Sequence, residues 1–177
     1  MRLFIAIELS EPIRDYLSSI QEQFKGYGKL RFPQKENIHL TLKFLGDTDV
    51  SQVQDALSQI TYTSFNLRLD KLGVFDSERY VRVLWAAYEA KKELLALKQD
   101  IDKALPGFKN DYSYKPHLTL ARVNHLIDKD GFLQKLYTIN VEPIKMKVDS
   151  FTLMNSTLGP EGPKYEVLAR YNAIEKL

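Results

Sequence analysis

The chain has 177 residues, a formal net charge of +2, 44% hydrophobic residues and 27% charged residues. This length suits one sizeable domain or two small lobes with a shared interface, and the composition is ordinary for a globular protein. The absence of cysteine excludes disulfides, thiolate metal sites and cysteine nucleophiles, and the mild charge argues against a long nucleic-acid track. A chain without cysteine fits a reducing cytoplasm, where we expect this protein. No stretch approaches the roughly 20 apolar residues of a membrane helix, so we expect no membrane contact.

Hydrophobic periodicity divides the first half of the chain into strands and helices. Ser10, Glu11 and Pro12 form a helix-start signal, with a capping hydroxyl, an acid in the first turn and an early proline. The predicted elements are, in order, a buried strand over 3–9, a helix that begins near Pro12 and ends near Gly26 and Gly28, a strand over 38–45, a turn at Gly46–Asp47, a short helix over 51–60 and a strand over 65–75.

The second half of the chain repeats this order of elements. Its long helix has an apolar face, formed by Leu94, Leu97, Ile101 and Leu105, and Pro106–Gly107 ends it. The predicted elements are a strand over 81–89, a helix over 91–105, a strand over 117–122, a short helix over 130–136, an alternating strand over 143–154 and a closing strand over 165–174.

The four residues His-Leu-Thr-Leu occur twice, at 39–42 and at 117–120, and use two of only three histidines. The offset is 117 − 39 = 78 residues, and the same offset superimposes the flanking predicted strands and helices. A chance recurrence of four letters would not carry its surroundings with it. We therefore expect one domain over 1–177, formed by two duplicated lobes that share a cleft.

Side chains alternate between the two faces of a strand, so the repeated motif places its histidine and threonine on one face and its leucines on the other. His39, Thr41 and Lys43 are predicted to share one face, and His117 and Thr119 share the matching face in the other lobe. The opposite faces, directed to the core, are predicted to carry Ile38, Leu40, Leu42 and Phe44 in the first lobe and Leu118 and Leu120 in the second.

Two imidazoles beside one central atom suit phosphoester chemistry. Histidine titrates near pH 6.5, so one neutral ring can deprotonate a water while one protonated ring gives a proton to the departing oxygen. Hydroxyls of Thr41 and Thr119 can donate to the phosphate oxygens that gain charge. This scheme needs no metal. A zinc site would require a third ligand, and the only spare histidine, His125, lies in a polar segment that is typical of a surface loop.

These motifs resemble the 2H phosphoesterase superfamily, which is defined by two such histidine motifs. The resemblance is strongest to its LigT/ThpR branch of RNA 2′,3′-cyclic phosphodiesterases, historically called 2′-5′ RNA ligases. It extends over the whole chain, through "MRLFIAIEL", "ENIHLTLKFLGD", "KPHLTLAR" and "GPKYEVLARY". The segment "DYSYKPH" departs from the branch, whose members often have Phe and Arg there.

The resemblance implies a bilobal α+β fold with two antiparallel sheets, helices on the outside and a central cleft. It implies metal-free and cofactor-free opening of a 2′,3′-cyclic phosphate, at an RNA end or on a small nucleotide, to a 2′-phosphomonoester. His39 would be the acid on the 3′ oxygen and His117 the base, with Thr41 and Thr119 holding the phosphate. The residues alone do not decide which histidine is which. The reverse reaction would be a 2′-5′ ligation.

Several further residues have both a functional and a structural interpretation. Lys43 and Arg122 are candidates for phosphate contact, against a solvated lysine and a salt-bridged arginine. Tyr112 and Tyr114 could stack on a base, although loop packing is the simpler interpretation. Two other aromatic residues, Phe44 and Trp85, are predicted to belong to the core.

Two other functions remain compatible with the sequence. One is a 2H phosphodiesterase for another substrate, such as ADP-ribose cyclic phosphate, a 2′-5′ oligonucleotide or a phosphodiester without ribose. The other is a non-catalytic domain that binds RNA ends in the same cleft, although a pure binder needs no matched acid and base. Nothing in the sequence marks a dimer interface, so we expect a monomer.

Overall fold

The computed structural model describes residues 1–89, 91–111, 113–160 and 162–175. In these residues no helix has both the length and the apolar character needed to cross a membrane. The helices are α1 (Glu11–Gln23), α2 (Val50–Ser58), α3 (Lys92–Ala104) and α4 (Lys129–Thr138), with a short 3₁₀ turn at Lys35–Asn37. The strands are β1 (Arg2–Glu8), β2 (Gly28–Arg31), β3 (His39–Asp47), β4 (Phe65–Asp76), β5 (Val81–Tyr88), β6 (Leu118–Leu126), β7 (Lys145–Val148), β8 (Ser150–Gly159) and β9 (Gly162–Asn172).

The strands form two antiparallel sheets. A four-stranded sheet has the order β3-β1-β8-β9, and a five-stranded sheet has the order β2-β6-β5-β4-β7. Each sheet contains one copy of the repeated motif, on β3 or at the start of β6, where only His117 precedes the strand. Each copy lies next to a central strand, β1 or β5. The predicted α+β class with two antiparallel sheets is confirmed.

The two halves of the chain exchange strands. β4, from the first half, pairs with β5 in the five-stranded sheet, whereas β8, from the second half, pairs with β1 in the four-stranded sheet. The strand predicted over 143–154 is therefore wrong as one unit. It breaks at Asp149, and its two parts, β7 and β8, join different sheets. Each sheet is built from both halves, so the two motifs lie in interlocked rather than separate units.

One hydrophobic core joins both sheets and both long helices. The apolar face predicted for α3 is confirmed, since Leu94, Leu97, Ile101 and Leu105 are all buried. Gln21 of α1 is a buried polar exception, and its side-chain amide donates to the backbone oxygens of Leu120 (2.9 Å) and Pro33 (3.0 Å). This pair of bonds fixes α1 against the strand that follows His117.

An irregularity in the pairing of β3 with β1 overturns the predicted alternation of side chains beyond Leu42. Ala6 pairs with Thr41 and Ile5 with Lys43, which leaves Leu42 as an extra residue, and such a bulge shifts the side-chain parity beyond it. Lys43 is consequently buried, at 4% exposure, and Phe44 is 73% exposed, so the core position predicted for Phe44 is wrong.

A second irregularity in β3 changes the outcome at the predicted turn. Gly46 pairs with Leu3 and adopts φ +72°, a conformation that favours glycine. The strand therefore continues through Gly46–Asp47, where the sequence predicts a turn.

Strand β2 was not predicted, because the sequence indicates only a helix end near its first residue. It adds an edge strand to β6, with Gly28 opposite Leu126 and Arg31 opposite Arg122. A Cβ atom on Gly28 would lie 2.2 Å from the backbone oxygen of His125, so glycine permits this close pairing. The reason for glycine at this position is thus a contact with a strand far along the chain, which local sequence cannot reveal.

Candidate active site

The two motif histidines are held in the same way. His39 Nδ1 lies 2.7 Å from the backbone oxygen of Asn37, and His117 Nδ1 lies 2.7 Å from the backbone oxygen of Lys115. A carbonyl oxygen can only accept a hydrogen bond, so each Nδ1 carries a proton. Each Nε2 is thereby left as the atom that can accept or deliver a proton, which is the arrangement that acid–base chemistry needs.

His39 is enclosed by aromatic rings. Its ring centroid lies 4.9 Å from that of Phe4 and 5.1 Å from that of Tyr165, which meets it edge-on. Burial lowers the pKa of His39 because the charged imidazolium loses solvation, and the hydrogen bond to Asn37 only partly opposes this. Positive charges on Arg14 and His117 lower the pKa of His39 further. The charge of one motif histidine therefore acts on the other.

His117 lies against a different aromatic group. Phe75 meets it edge-on at 5.0 Å between centroids, and Phe75 itself packs against Trp85 at 5.2 Å. Trp85 is half-buried on the same face of the sheet, opposite Gly73 and next to Thr119, so its predicted place in the core is wrong. A Cβ atom on Gly73 would lie 2.2 Å from the indole, so glycine gives that ring its space.

The two motif threonines occupy matching places. Thr41 and Thr119 are half-buried, two residues beyond their histidines, and are separated from them by one fully buried leucine in each motif. Within the described part of the chain, neither hydroxyl has a protein hydrogen-bond partner. Both are therefore available to donate to an oxygen of a bound ligand.

Arg122 faces the open side of the five-stranded sheet, although simple alternation predicts the opposite. Ala121 is fully buried and Arg122 is exposed, because the pairing of β5 with β6 slips by one residue between Leu84 and Trp85. Burial raises the pKa of the Tyr165 hydroxyl, and the charge of Arg122 opposes that rise. The guanidinium thus acts on the ring that packs against His39.

Lys43 does not share the face of His39, so the basis of its assignment to phosphate binding is wrong. Its ammonium group donates to Asp102 Oδ1 (2.6 Å), Asn110 Oδ1 (2.9 Å) and the backbone oxygen of Lys109 (3.1 Å). These bonds use all three of its protons. The bulge at Leu42 turns Lys43 inward, where it anchors α3 and the segment that leads to His117.

Tyr114 ties the two motifs together. Its hydroxyl donates to the backbone oxygen of Thr41 at 2.9 Å, and the ammonium of Lys98 lies 5.1 Å from its ring centroid. These contacts favour the structural interpretation of Tyr114 over stacking on a base. The other tyrosine singled out from this segment, Tyr112, lies outside the described residues.

His125 lies on β6, opposite Lys29, and is exposed on a strand rather than in a loop. Among the residues that the structure describes, no group of three or more His, Cys, Asp or Glu side chains is placed to hold a metal ion.

Comparison with known families gives a match over residues 10–160 to the family model described as the 2′-5′ RNA ligase superfamily. This range includes both histidine motifs and more than half of the chain. The chain belongs to the 2′-5′ RNA ligase superfamily. The family membership predicted from the paired motifs is thereby confirmed.

Relatives in this superfamily match over nearly the full length. A protein of Methanocaldococcus jannaschii named RNA 2′,3′-cyclic phosphodiesterase is 34% identical over 176 residues, which cover 97% of this chain and 100% of the relative. A Thermotoga maritima protein of the same name is 32% identical, over 95% of this chain and 93% of the relative.

Solved structures also resemble the fold of this chain. The protein TT0787 of Thermus thermophilus aligns with a TM-score of 0.80 at 27% identity, and 97% of each chain is covered. E. coli LigT, solved in complex with 3′-AMP, aligns with a TM-score of 0.78 at 24% identity, again over 97% of each chain. The second similarity bears on the fold alone.

Proposed function

We propose that the chain is a metal-independent phosphodiesterase that opens 2′,3′-cyclic phosphates at RNA ends to 2′-phosphomonoesters. The observation that carries the proposal is the matched pair of histidines. Both present Nε2 with Nδ1 bound to a carbonyl oxygen, and the charge of His117 acts on His39. The curated relatives named RNA 2′,3′-cyclic phosphodiesterase support the same substrate class.

In the proposed reaction, His117 acts as the base and His39 as the acid, in the roles that the family resemblance implies. His117 Nε2 takes a proton from a water molecule, and the water oxygen forms a bond to phosphorus. The bond from phosphorus to the 3′ oxygen breaks, and His39 delivers the Nε2 proton to that oxygen. The products are a 2′-phosphomonoester and a free 3′ hydroxyl.

The threonines and Arg122 would hold the phosphate during this step. The hydroxyls of Thr41 and Thr119 donate to non-bridging oxygens, where negative charge develops, and such preorganised donors stabilise the transition state. The guanidinium of Arg122 offers a planar pair of donors that suits a phosphate group. The exposed ring of Phe44, on the same open face, is available to stack on the base of the terminal nucleotide.

The burial of His39 has a consequence for its proposed role as acid. The lowered pKa favours the neutral ring in the free protein, whereas an acid must be protonated. An anionic phosphate beside the ring favours the imidazolium, so ligand binding raises the pKa of His39. Protonation and substrate binding are therefore coupled, and the acid forms where it is needed.

The same residues would catalyse a 2′-5′ ligation if the 5′ hydroxyl of a second RNA end took the place of water. His117 would deprotonate that hydroxyl, and its oxygen would form the bond to phosphorus. The bond from phosphorus to the 3′ oxygen would break, and His39 would protonate the departing oxygen as in hydrolysis. Water competes with the attacking hydroxyl, so hydrolysis is the direction that we expect in dilute solution.

The experiment that tests the proposal is incubation of the protein with a 2′,3′-cyclic mononucleotide and a short RNA with a cyclic-phosphate end, with a chelator present. We expect a 2′-phosphomonoester product that is formed equally with and without chelator. Tight binding of either substrate with no product would instead indicate a non-catalytic RNA-end-binding domain. Hydrolysis confined to other phosphodiesters, such as ADP-ribose cyclic phosphate or 2′-5′ oligonucleotides, would replace the proposed substrate.

A further inference from the structure

Two arginines face each other at the outer edge of the five-stranded sheet. Arg31 on β2 is directly opposite Arg122 on β6, so both side chains leave the same face of the sheet. Their Cα atoms are separated by roughly 5 Å in such a pair. Both residues are exposed. This edge exists only because β2 adds to β6.

Neither arginine is neutralised by the protein. Within the described ranges, neither Arg31 nor Arg122 forms a salt bridge or a side-chain hydrogen bond, whereas Arg68 and Arg170 each pair with a glutamate. Like charges directly opposite each other destabilise a sheet. An arrangement with this cost is explained most simply by an anion that lies between or beside the two guanidinium groups.

The position of the pair relates it to the candidate active site. Arg122 is three residues beyond Thr119, and its charge reaches Tyr165, which packs against His39. Arg31 lies one strand farther out, at a strand spacing of about 4.8 Å. The two cations therefore lie at successive distances from the histidines, along a path that leads out of the site.

We propose that Arg31 binds the phosphodiester next to the terminal cyclic phosphate, so that the protein prefers the end of an RNA chain to a mononucleotide. This inference rests on the proposed function and names its substrate class more closely. A cyclic phosphate carries one negative charge, and the single positive charge of Arg122 is enough to neutralise it. Arg31 is therefore available to bind a second anion. An RNA chain supplies one further phosphate for each nucleotide, and the arginine fork suits phosphate geometry.

The test compares two substrates that differ by one phosphate, a 2′,3′-cyclic mononucleotide and a dinucleotide with the same cyclic end. For the wild-type chain, kcat/KM should be higher for the dinucleotide. In Arg31→Gln, the ratio of the two kcat/KM values should fall about tenfold, the loss expected for one charge-assisted contact. The slope of log kcat/KM against log salt for the dinucleotide should become shallower by about 0.7, the value for one single-strand phosphate.

A matched control is Lys147→Gln, which removes the same charge at the opposite edge of the same sheet, on β7. It should leave both the ratio and the salt slope at the wild-type values. Arg31→Lys keeps the charge but not the fork, so it should restore part of the ratio.

Two outcomes would overturn the inference, and each is distinct from failure of the proposed function. If Arg31→Gln lowers kcat/KM equally for both substrates, Arg31 acts on the terminal phosphate and not on the next one. If both kcat/KM values stay at the wild-type level, Arg31 binds no substrate phosphate. If the wild-type chain hydrolyses neither substrate, the proposed function itself fails, and the inference with it. Circular dichroism melting of each variant separates these outcomes from loss of folding.

Discussion

The two copies of the histidine motif have the same geometry but different surroundings. Each histidine binds the carbonyl oxygen two residues before it at 2.7 Å, so the orientation of the two rings is duplicated. His39, however, lies between two aromatic rings in a partly buried place, whereas the bond of His117 is exposed. The lesson is that duplication supplied two rings in the same orientation, and packing then changed the surroundings of one of them. Burial lowers the pKa of His39, so its role as acid depends on a bound phosphate that favours the imidazolium.

The difference between the copies extends to the residues after each threonine. With the offset of 78 residues, Lys43 corresponds to Ala121 and Phe44 to Arg122. The first two are both buried, and the last two are both exposed on the open face. One side of the site therefore offers an aromatic ring and the other a cation. A nucleotide has the same two parts, a base and a phosphate.

The largest expected effect on activity comes from removing one of the two motif imidazoles at a time. His39→Ala and His117→Ala should each lower kcat/KM for a cyclic-phosphate substrate by about 10² to 10⁴, the usual contribution of an acid or base. A substrate whose 3′ leaving oxygen is replaced by sulfur needs no proton on its leaving group. With this substrate, the variant that lacks the acid, which we expect to be His39→Ala, should recover its rate of hydrolysis. The variant that lacks the base, His117→Ala, should remain slow.

The control for these variants is His125→Ala, which removes an exposed imidazole on β6 outside the pair. It should keep wild-type rates with both substrates. Wild-type hydrolysis by both motif variants would refute the paired mechanism. Rescue of His117→Ala by the sulfur substrate, with none for His39→Ala, would exchange the assigned roles.

A second prediction concerns how kcat and kcat/KM depend on pH. Since burial and the charge of His117 lower the pKa of His39, the protonated acid is lost early in the free protein as pH rises. Bound phosphate favours the imidazolium and raises this pKa. The alkaline limb of kcat should therefore lie at higher pH than that of kcat/KM, because kcat reports the complex and kcat/KM the free protein. Both bell-shaped profiles describe the pair rather than one group.

Proton NMR titration of the ring resonances gives a direct measurement. In His117→Gln, which removes one of the charges acting on His39, the pKa of His39 should rise, by less than the effect of burial. An unchanged pKa of His39, together with coincident alkaline limbs, would mean that neither the charge of His117 nor a bound phosphate acts on the His39 ring.

Local patterns in the sequence predict the elements whose stability is local. The apolar face of α3 and the start of α1 at Ser10–Pro12 follow from helical spacing and from the early acid and proline, and both are found in the structure. The capping bond predicted for the Ser10 hydroxyl is wrong, since its side chain does not accept from the helix backbone. The places of the two histidines relative to their strands follow from alternation, which holds as far as Leu42.

The features of the site that the sequence cannot predict depend on pairing between strands that are distant along the chain. The bulge at Leu42, which buries Lys43, depends on the register with β1 rather than on the residues beside it. The place of Trp85 near His117 depends on Gly73 across the sheet. Tyr165 reaches His39 because β8 and β9 cross to the four-stranded sheet, and no local signal marks that exchange.

The smallest predicted effect concerns the link between the two motifs. Tyr114 donates to the backbone oxygen of Thr41, and the next residue, Lys115, supplies the carbonyl oxygen that orients His117. Tyr114→Phe keeps the ring but removes this bond, so His117 should be held less firmly relative to Thr41. We expect a several-fold fall in kcat with little change in KM, and a loss of about 1 kcal/mol in unfolding free energy, the usual value of one hydrogen bond.

The matched control is Tyr137→Phe, since Tyr137 is 63% exposed on α4 and the chemical change is the same. It should leave kcat unaltered. If Tyr114→Phe lowers stability without lowering kcat, the bond stabilises the fold only. The two motifs would then be aligned by strand pairing alone, and Tyr114 would not be a positioning residue. A fall in kcat with the pH profile of the wild-type protein would instead mean that the acid and base keep their environments while their distance from the phosphate changes.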